Sequence, residues 1–300
     1  MAQATMASLE RGQRRAGRLL LAPAMIMLAL TVIIPLIVAG FLSLTSYNLL
    51  QPPRFVGLKN YRDLFADPVF HKAIGNTLYF AVGQVAIGIV VAFFVAMLFN
   101  RPLKGGAAAR TVIYLPQAMS YVTVALLWTF LYDPFIGPIN AVLRELGTGP
   151  VYFLTNTELA MPSIMGMSLW RNLGYYMIIL LAGLKAIPEE LLEAAQIDGA
   201  GWWARLANVI IPQMTNSLFF VAVTWFMGGL QMFTQAYVMT QGGPVNSTRS
   251  VVYHMYEAAF TQLSVGQASA VAVLLFAFVM AIALPVRLAA ELKGRRASYV

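Results

Sequence analysis

Cysteine is absent from this chain, and histidine is nearly so, with only His71 and His254 among 300 residues. Disulfides and thiolate metal sites are therefore excluded, and two histidines so far apart have no spacing suited to a metal. Both are expected in outer loops. Acids are scarce too, twelve Asp and Glu against twenty Lys and Arg. They cluster only at Glu189, Glu190 and Glu193, where helix capping and partner docking explain them better than acid–base catalysis. No Ser-His-Asp arrangement can be argued, and no G-x-x-x-x-G-K-[ST] loop is present to cradle a phosphate. Internal repeats and low-complexity tracts are missing as well. The expectation is a chain with no catalytic residue, no metal and no cofactor of its own.

What the chain has instead is apolar length. Hydrophobic residues make up 59% of it, charged residues only 11%, and the mean hydropathy is +0.71. That is too oily for a soluble domain of this size. A helix needs about 20 apolar residues to cross the hydrocarbon core. Six segments qualify: Leu19 to Leu44, Ile74 to Phe99, Thr111 to Leu131, Leu159 to Leu184, Thr215 to Met239 and Gln267 to Ala290. The first is too long for a signal-peptide core and lacks a small-x-small cleavage site, so it reads as a span. The net charge of +8 and pI of 9.8 do not indicate nucleic acid, because the cations flank the apolar segments.

Those cations set an orientation. With the N-terminus in the cytoplasm, inside segments hold thirteen Lys and Arg, among them Arg101, Lys104, Arg110, Lys185 and Arg205. Outer loops hold six: Arg54, Lys59, Arg62, Lys72, Arg144 and Arg249. The positive-inside rule then places both termini in the cytoplasm, with residues 1–18 and 291–300 as cytoplasmic ends. A single six-span membrane domain over 19–290 is expected, all-α in class. The outer connections 46–73, 132–158 and 240–266 are rich in turn residues and are expected to hold ordered turns and short interfacial helices.

A polar island at about 185–212 interrupts the apolar pattern and must lie in water at a membrane face. Pro188 followed by Glu189 and Glu190 predicts a helix start, since proline suits the first turn and acids its positive end. Gly199 then permits a sharp turn. A second short helix is expected over Gly201 to Asn208.

Glu193-Ala194-Ala195, three residues, Gly199, then Ile-x-x-Pro ending at Pro212, resembles the cytoplasmic signature loop of permease subunits in binding-protein-dependent ABC importers. Glu193, Ala194, Ala195, Asp198, Gly199, Ala200 and Pro212 match it. Leu206, Val209 and Ile211 replace the family's Phe, Ile and Leu but keep apolar character. The likeness runs along most of the chain. Phe55-Val56-Gly57-Leu58-Lys59-Asn60-Tyr61, Asn76-Thr77, Leu115-Pro116, Asp133-Pro134 with Gly137 and Asn140, Trp170, and Ala182-Gly183-Leu184 all resemble motifs of the carbohydrate-uptake, maltose-type subfamily. So does Thr240-Gln241-Gly242-Gly243-Pro244, although Gln241 departs from the usual glycine.

The resemblance implies a type I ABC importer permease fold in a bacterial or archaeal cytoplasmic membrane. It also implies four kinds of partner: a second homologous permease, two ATP-binding subunits carrying ATP and Mg, an extracytoplasmic sugar-binding protein, and lipid. The loop around Glu193 would then couple ATP hydrolysis to transport, and a Cβ at Gly199 is expected to obstruct its turn.

Within the spans, polar groups need a reason. Arg171, beside Trp170 and Asn172, either faces a water-filled path or bonds to groups of a neighbouring helix. Trp225, Gln231 and Gln235 could offer a sugar a stacking face and amide donors; ordinary helix packing is the alternative. The substrate expected is a di- or oligosaccharide or a glycoside, with a sugar- or glycerol-phosphate as the rival. A stand-alone secondary transporter would show charged coupling sites. A membrane-embedded enzyme would need convergent catalytic side chains. Neither pattern is found.

Overall fold

The computed structural model describes residues 18–101 and 103–297, with side chains to 285. Most of the expected N-terminal segment 1–18 and the last residues of the 291–300 tail lie outside the described residues. The chain divides into two compact units, one of residues up to 66 and from 255 onward, the other of residues 67–254.

In the first unit, α1 (Arg18–Leu42) is long and apolar enough to span a membrane. It is followed by two-residue strands β1 (Thr45–Ser46) and β2 (Arg54–Phe55), which pair antiparallel and depart from an all-α reading. Helix α2 (Lys59–Ala66) then lies against α13 (Val265–Ala297), whose stretch to Pro285 is a candidate span. The Phe55-to-Tyr61 motif has a local role here. Gly57 takes φ +62°, and Asn60 Nδ2 donates to the carbonyls of Ser43 and Thr45 at 2.7 and 2.8 Å. Tyr61 adds a hydroxyl bond to Ser43 Oγ at 2.7 Å. Helix α1 leaves carbonyls unpaired at its C-terminus, and this motif occupies those just beyond it.

The second unit is built on α3 (Pro68–Phe99) and α7 (Ala160–Lys185), which pack against each other and against α4 (Gly106–Ala118) and α10 (Thr215–Leu230). Helix α3 starts on Asp67, whose side chain accepts from the Val69 amide, with Pro68 in the first turn where its missing N–H costs nothing. His71 lies in α3, and His254 is buried in α12 (Val251–Phe260). His254 thus lies in a short helix of the 240–266 connection, while His71 lies in the first turn of a long helix that starts inside 46–73.

Two expected spans are interrupted. The third is α4 plus α5 (Tyr121–Leu131), bent by 101° at Met119 and Ser120. Pro116 removes a backbone donor near that end of α4, and Ser120 caps α5 by accepting from Val122 N. The fifth ends at Leu230; after Gln231, Met232 and Phe233 comes a separate short helix, α11 (Thr234–Met239). Helix α7, the expected fourth span, does not reach the apolar threshold for crossing a membrane that α1 and α3 reach. Its many buried side chains include Ser163, Ser168 and Arg171. A helix enclosed by protein needs less apolar surface than one facing lipid.

Short helices occupy the connections 46–73, 132–158 and 240–266, as expected: α2, α6 (Pro138–Glu145) and α12. Asn140 is fully buried, and its amide ties the carbonyls of Asp133 and Val151 to the Val151 amide. Asn76 Nδ2 reaches the carbonyls of Asn246 and Arg249 at 2.8 and 2.9 Å, holding the loop that follows Pro244.

Candidate functional site

The polar island folds as two helices joined by a tight turn. Helix α8 (Glu189–Ile197) has Pro188 at its N-cap and Glu189 and Glu190 in its first turn, as the sequence predicts. At its end the Ala200 amide donates to Ala195 O at 2.9 Å and the Gly199 amide to Gln196 O at 3.1 Å. Gly199 has φ +74°. These two bonds around a left-handed glycine are a Schellman closure, which supplies partners for carbonyls the helix cannot satisfy itself. The spacing from Ala195 to Gly199 to Ala200 is therefore a helix-stop. A Cβ at Gly199 would meet open space, so the constraint there is backbone strain, not the obstruction expected.

Gly201 then caps α9 (Trp202–Gln213), which runs past the expected limit at Asn208 through a π-helical stretch, Leu206–Ile210. Leu192, Leu206 and Ile210 anchor the pair of helices on the apolar core of the unit, with Ile187 and Met214. The other side faces outward. Glu193, Ala194, Asp198, Gly199 and Pro212 are exposed, and Ala195 and Ala200 are half-buried. Ile197 is 86% exposed and Trp203 71%, so this side carries uncovered apolar surface beside its acids. The motif pattern did not single them out; two tryptophans inside a polar island were the available signal. Beyond Pro212 the chain bends by 69° into α10, where the Thr215 hydroxyl donates to Pro212 O at 2.8 Å.

The interior candidates separate into two groups. Arg171 is buried, and both its terminal nitrogens are bonded at the bend of the expected third span, while its Nε has no partner. Its Nη2 donates to the carbonyls of Gln117 and Met119 at 3.2 and 3.0 Å, and its Nη1 to Gln117 Oε1 and Asn172 Oδ1 at 3.0 and 3.2 Å. The guanidinium lies 3.7 Å from the centre of the Tyr121 ring, and Asn172 Nδ2 bonds the Tyr121 hydroxyl at 3.1 Å. A broken helix in a low-dielectric interior strands carbonyls that water cannot reach. Arg171, with a flat fork of donors and a cation–π face, satisfies them. Of the two readings of Arg171, bonding to a neighbouring helix is the one the geometry carries. Gln117 and Tyr121 were not foreseen, since nothing local marks residues about fifty positions away as partners.

Trp225 is 2% exposed and does not face an open path. It stacks on Tyr176 at 4.0 Å, donates its indole N–H to Gln84 Oε1 at 3.2 Å, and lies against Gly88 where a Cβ would overlap the ring. Gln84 also donates to Met165 O at 2.6 Å. This is helix packing among α3, α7 and α10, the alternative weighed for Trp225. Gln235 is buried in α11, and Gln231 is exposed at the break before it. The structure thus joins Arg171 to Asn172, but brings neither to Trp225 in any hydrogen bond or ring contact. Among the described residues no group of three or more His, Asp or Glu could hold a metal ion.

Residues 85–296 match the family described as binding-protein-dependent transport system inner membrane component. The chain is 33% identical over 258 residues to the sn-glycerol-3-phosphate transport system permease protein UgpA of Yersinia pestis, covering 84% of this chain and 87% of UgpA. It is 31% identical over 279 residues to the sulfoquinovosyl glycerol transport system permease protein SmoG of Agrobacterium fabrum, covering 91% and 90%. Its fold matches a chain from the crystal structure of a bacterial ABC transporter involved in the import of the acidic polysaccharide alginate. That match has a TM-score of 0.79 at 25% identity, over 98% of this chain and 99% of the other.

Proposed function

The chain belongs to the family of binding-protein-dependent transport system inner membrane components, and on that premise we propose how it works and what it carries. It is an ABC transporter permease subunit with a type I permease-like fold, a transport component whose ATPase activity lies in a separate subunit. In our reading it spans the membrane six times. The third crossing is the bent pair α4 and α5, the fourth is α7, and the fifth is α10 with α11. Both termini and the 185–212 turn face the cytoplasm. A second homologous permease completes the path, two ATP-binding subunits hold ATP and Mg, and an extracytoplasmic binding protein delivers the substrate.

The observation that carries the coupling role is the exposed turn itself. It is rigid through its Schellman closure and core anchors, yet presents Glu193, Asp198, Ile197 and Trp203 to the outside. A hard, part-apolar, part-acidic knob of this kind fits a groove in an ATP-binding subunit. ATP shifts the spans between inward- and outward-open states only to the extent that it binds the two states with different affinity. The turn carries that difference into α9 and, across the bend at Pro212, into α10. Because the chain has no native cysteine, single cysteines report topology cleanly. Cysteine at Gln196 or Ala297 should escape an impermeant thiol reagent in intact cells, while one at Asn246 should be labelled. Outside labelling at Gln196 would overturn the orientation and the coupling role together.

The substrate we propose is a neutral di- or oligosaccharide or a glycoside. The terminal nitrogens of Arg171 are held by carbonyls and side-chain amides and its guanidinium lies over a ring, which supports a structural role for it over that of an anion receptor. The rival is a sugar- or glycerol-phosphate, favoured by the likeness to UgpA. Uptake assays separate them. Competition by free oligosaccharides supports the first, and competition by phosphate esters alone establishes the second. With a neutral sugar, Arg171→Gln should leave apparent affinity nearly unchanged in whatever complex still assembles.

A further inference from the structure

In the second unit α3 ends at Phe99, α4 begins at Gly106 and α7 ends at Lys185, and these three termini border an open pocket of about 320 Å³. Arg101, Arg110 and Lys185 line it, beside Asn100, Phe99 and Leu103, and no acidic side chain does. Arg110 Nε donates to Gly106 O at 3.1 Å, but among the described residues none of the three cations is in an ion pair. Three like charges around one cavity repel each other, and an anion placed between them removes that cost. Helix C-termini favour a cation, and Lys185 in the last turn of α7 is partly explained that way. Arg110, in the first turns of α4, is at the wrong end of its helix for that account.

Location and surroundings define the anion further. A cavity at the level where three spans end lies at the boundary between hydrocarbon and water, whichever face of the membrane that is. On α3, which borders the cavity with Phe99, an exposed apolar stripe, Leu98, Phe94 and Val90, runs at four-residue spacing away from this end and into the hydrocarbon zone. Charge at the interface with an apolar track below it is the outline of an amphiphile. We propose that this cavity binds the headgroup of an anionic phospholipid, its phosphate among Arg101, Arg110 and Lys185 and its acyl chains along the α3 stripe. Inorganic phosphate shares the headgroup's charge but would make no use of the stripe.

The test uses the assembled importer, reconstituted with phosphatidylglycerol in a phosphatidylcholine background and then examined by native mass spectrometry after delipidation. Wild type should retain phosphatidylglycerol in preference to phosphatidylcholine. Lys185→Gln alone, an exposed change, should weaken retention roughly fivefold, and the triple Arg101→Gln, Arg110→Gln, Lys185→Gln variant by much more. Arg101→Lys with Arg110→Lys keeps the charges and should restore it. Equal retention in wild type and Lys185→Gln overturns the proposal. So does displacement of the lipid by millimolar inorganic phosphate alone, which would mark a free-anion site. Loss of the ATP-binding subunits from Lys185→Gln with lipid retention unchanged would assign the cations to subunit docking instead.

Discussion

The break at Met119 and Ser120 and the turn at Asp198 to Ala200 both redirect a helix within a few residues, yet they are closed by opposite means. At the first, Arg171 reaches across from α7 to the carbonyls of Gln117 and Met119. At the second, α8 closes on itself with two backbone bonds, and the side chains of Glu193, Asp198 and Ile197 stay exposed. The difference follows from the solvent each one faces. A bend away from water must import its hydrogen-bond partners, so its cost of failure is thermodynamic. A turn in water needs none, so its side chains are free for a partner and its failure shows in function.

The sharpest way to break this contrast is Arg171→Met. It removes the donor from four part-buried acceptors, two of them backbone carbonyls, and the ring contact with Tyr121, and should cost about 3 kcal/mol or more. Thermal unfolding of the purified complex and the yield of assembled complex both report it, with Arg171→Lys recovering part. An unchanged midpoint would make the bend self-supporting. Gly199→Val comes next. Left-handed backbone costs a β-branched residue roughly 1–2 kcal/mol, so the chain should remain inserted and folded while ATP-driven uptake is abolished. Gly199→Asn should recover much of the uptake, because asparagine tolerates that conformation.

Smaller still in stability is Ile197→Ser, at under about 0.5 kcal/mol for a surface site. Uptake and co-purification of the ATP-binding subunits should nonetheless fall, as they should for Glu193→Lys. Normal uptake in both would take the turn out of the coupling mechanism. The smallest effect concerns a third turn. The Ile136 amide, and after it the Phe135 amide, donates to Asp133 and holds its carboxyl below the ordinary range. A depressed carboxyl contributes order that is full above its unfolded value and lost as pH falls through the folded one. Amide exchange at Phe135 and Ile136 should therefore show loss of protection on acidification, and Asp133→Asn should abolish that pH dependence.

The same contrast explains what could be read from the sequence. The start of α8 at Pro188 and the turn at Gly199 were legible because local chemistry decides them: a proline, two acids and a glycine within a dozen residues. The apolar segments were legible because hydrocarbon imposes length. The bend of the third span was not, although Pro116 hinted at it, because its stability resides in a side chain on another helix. Trp225 failed as a path residue for a related reason. An aromatic in a span has the same composition whether it faces a solute or the glycine that admits it, and only Gly88 and Gln84 decide between them.

One consequence of the π-helical stretch Leu206–Ile210 concerns angular phase. A π turn inserts roughly one residue beyond the α-helical count, and each residue advances a helix by about 100°. Side chains before and after it therefore cannot be plotted on one helical wheel. Trp202 and Trp203 point where they do relative to Ile210 and Ile211 because of that extra residue. Regularising Leu206–Ile210 into an α-helix at unchanged length would rotate the tryptophans by about a quarter turn against the segment behind them, whereas deleting one residue there would restore the α-helical count and keep their direction. Regularisation without deletion would preserve helix content and apolar composition, and change only the direction in which the knob is clocked.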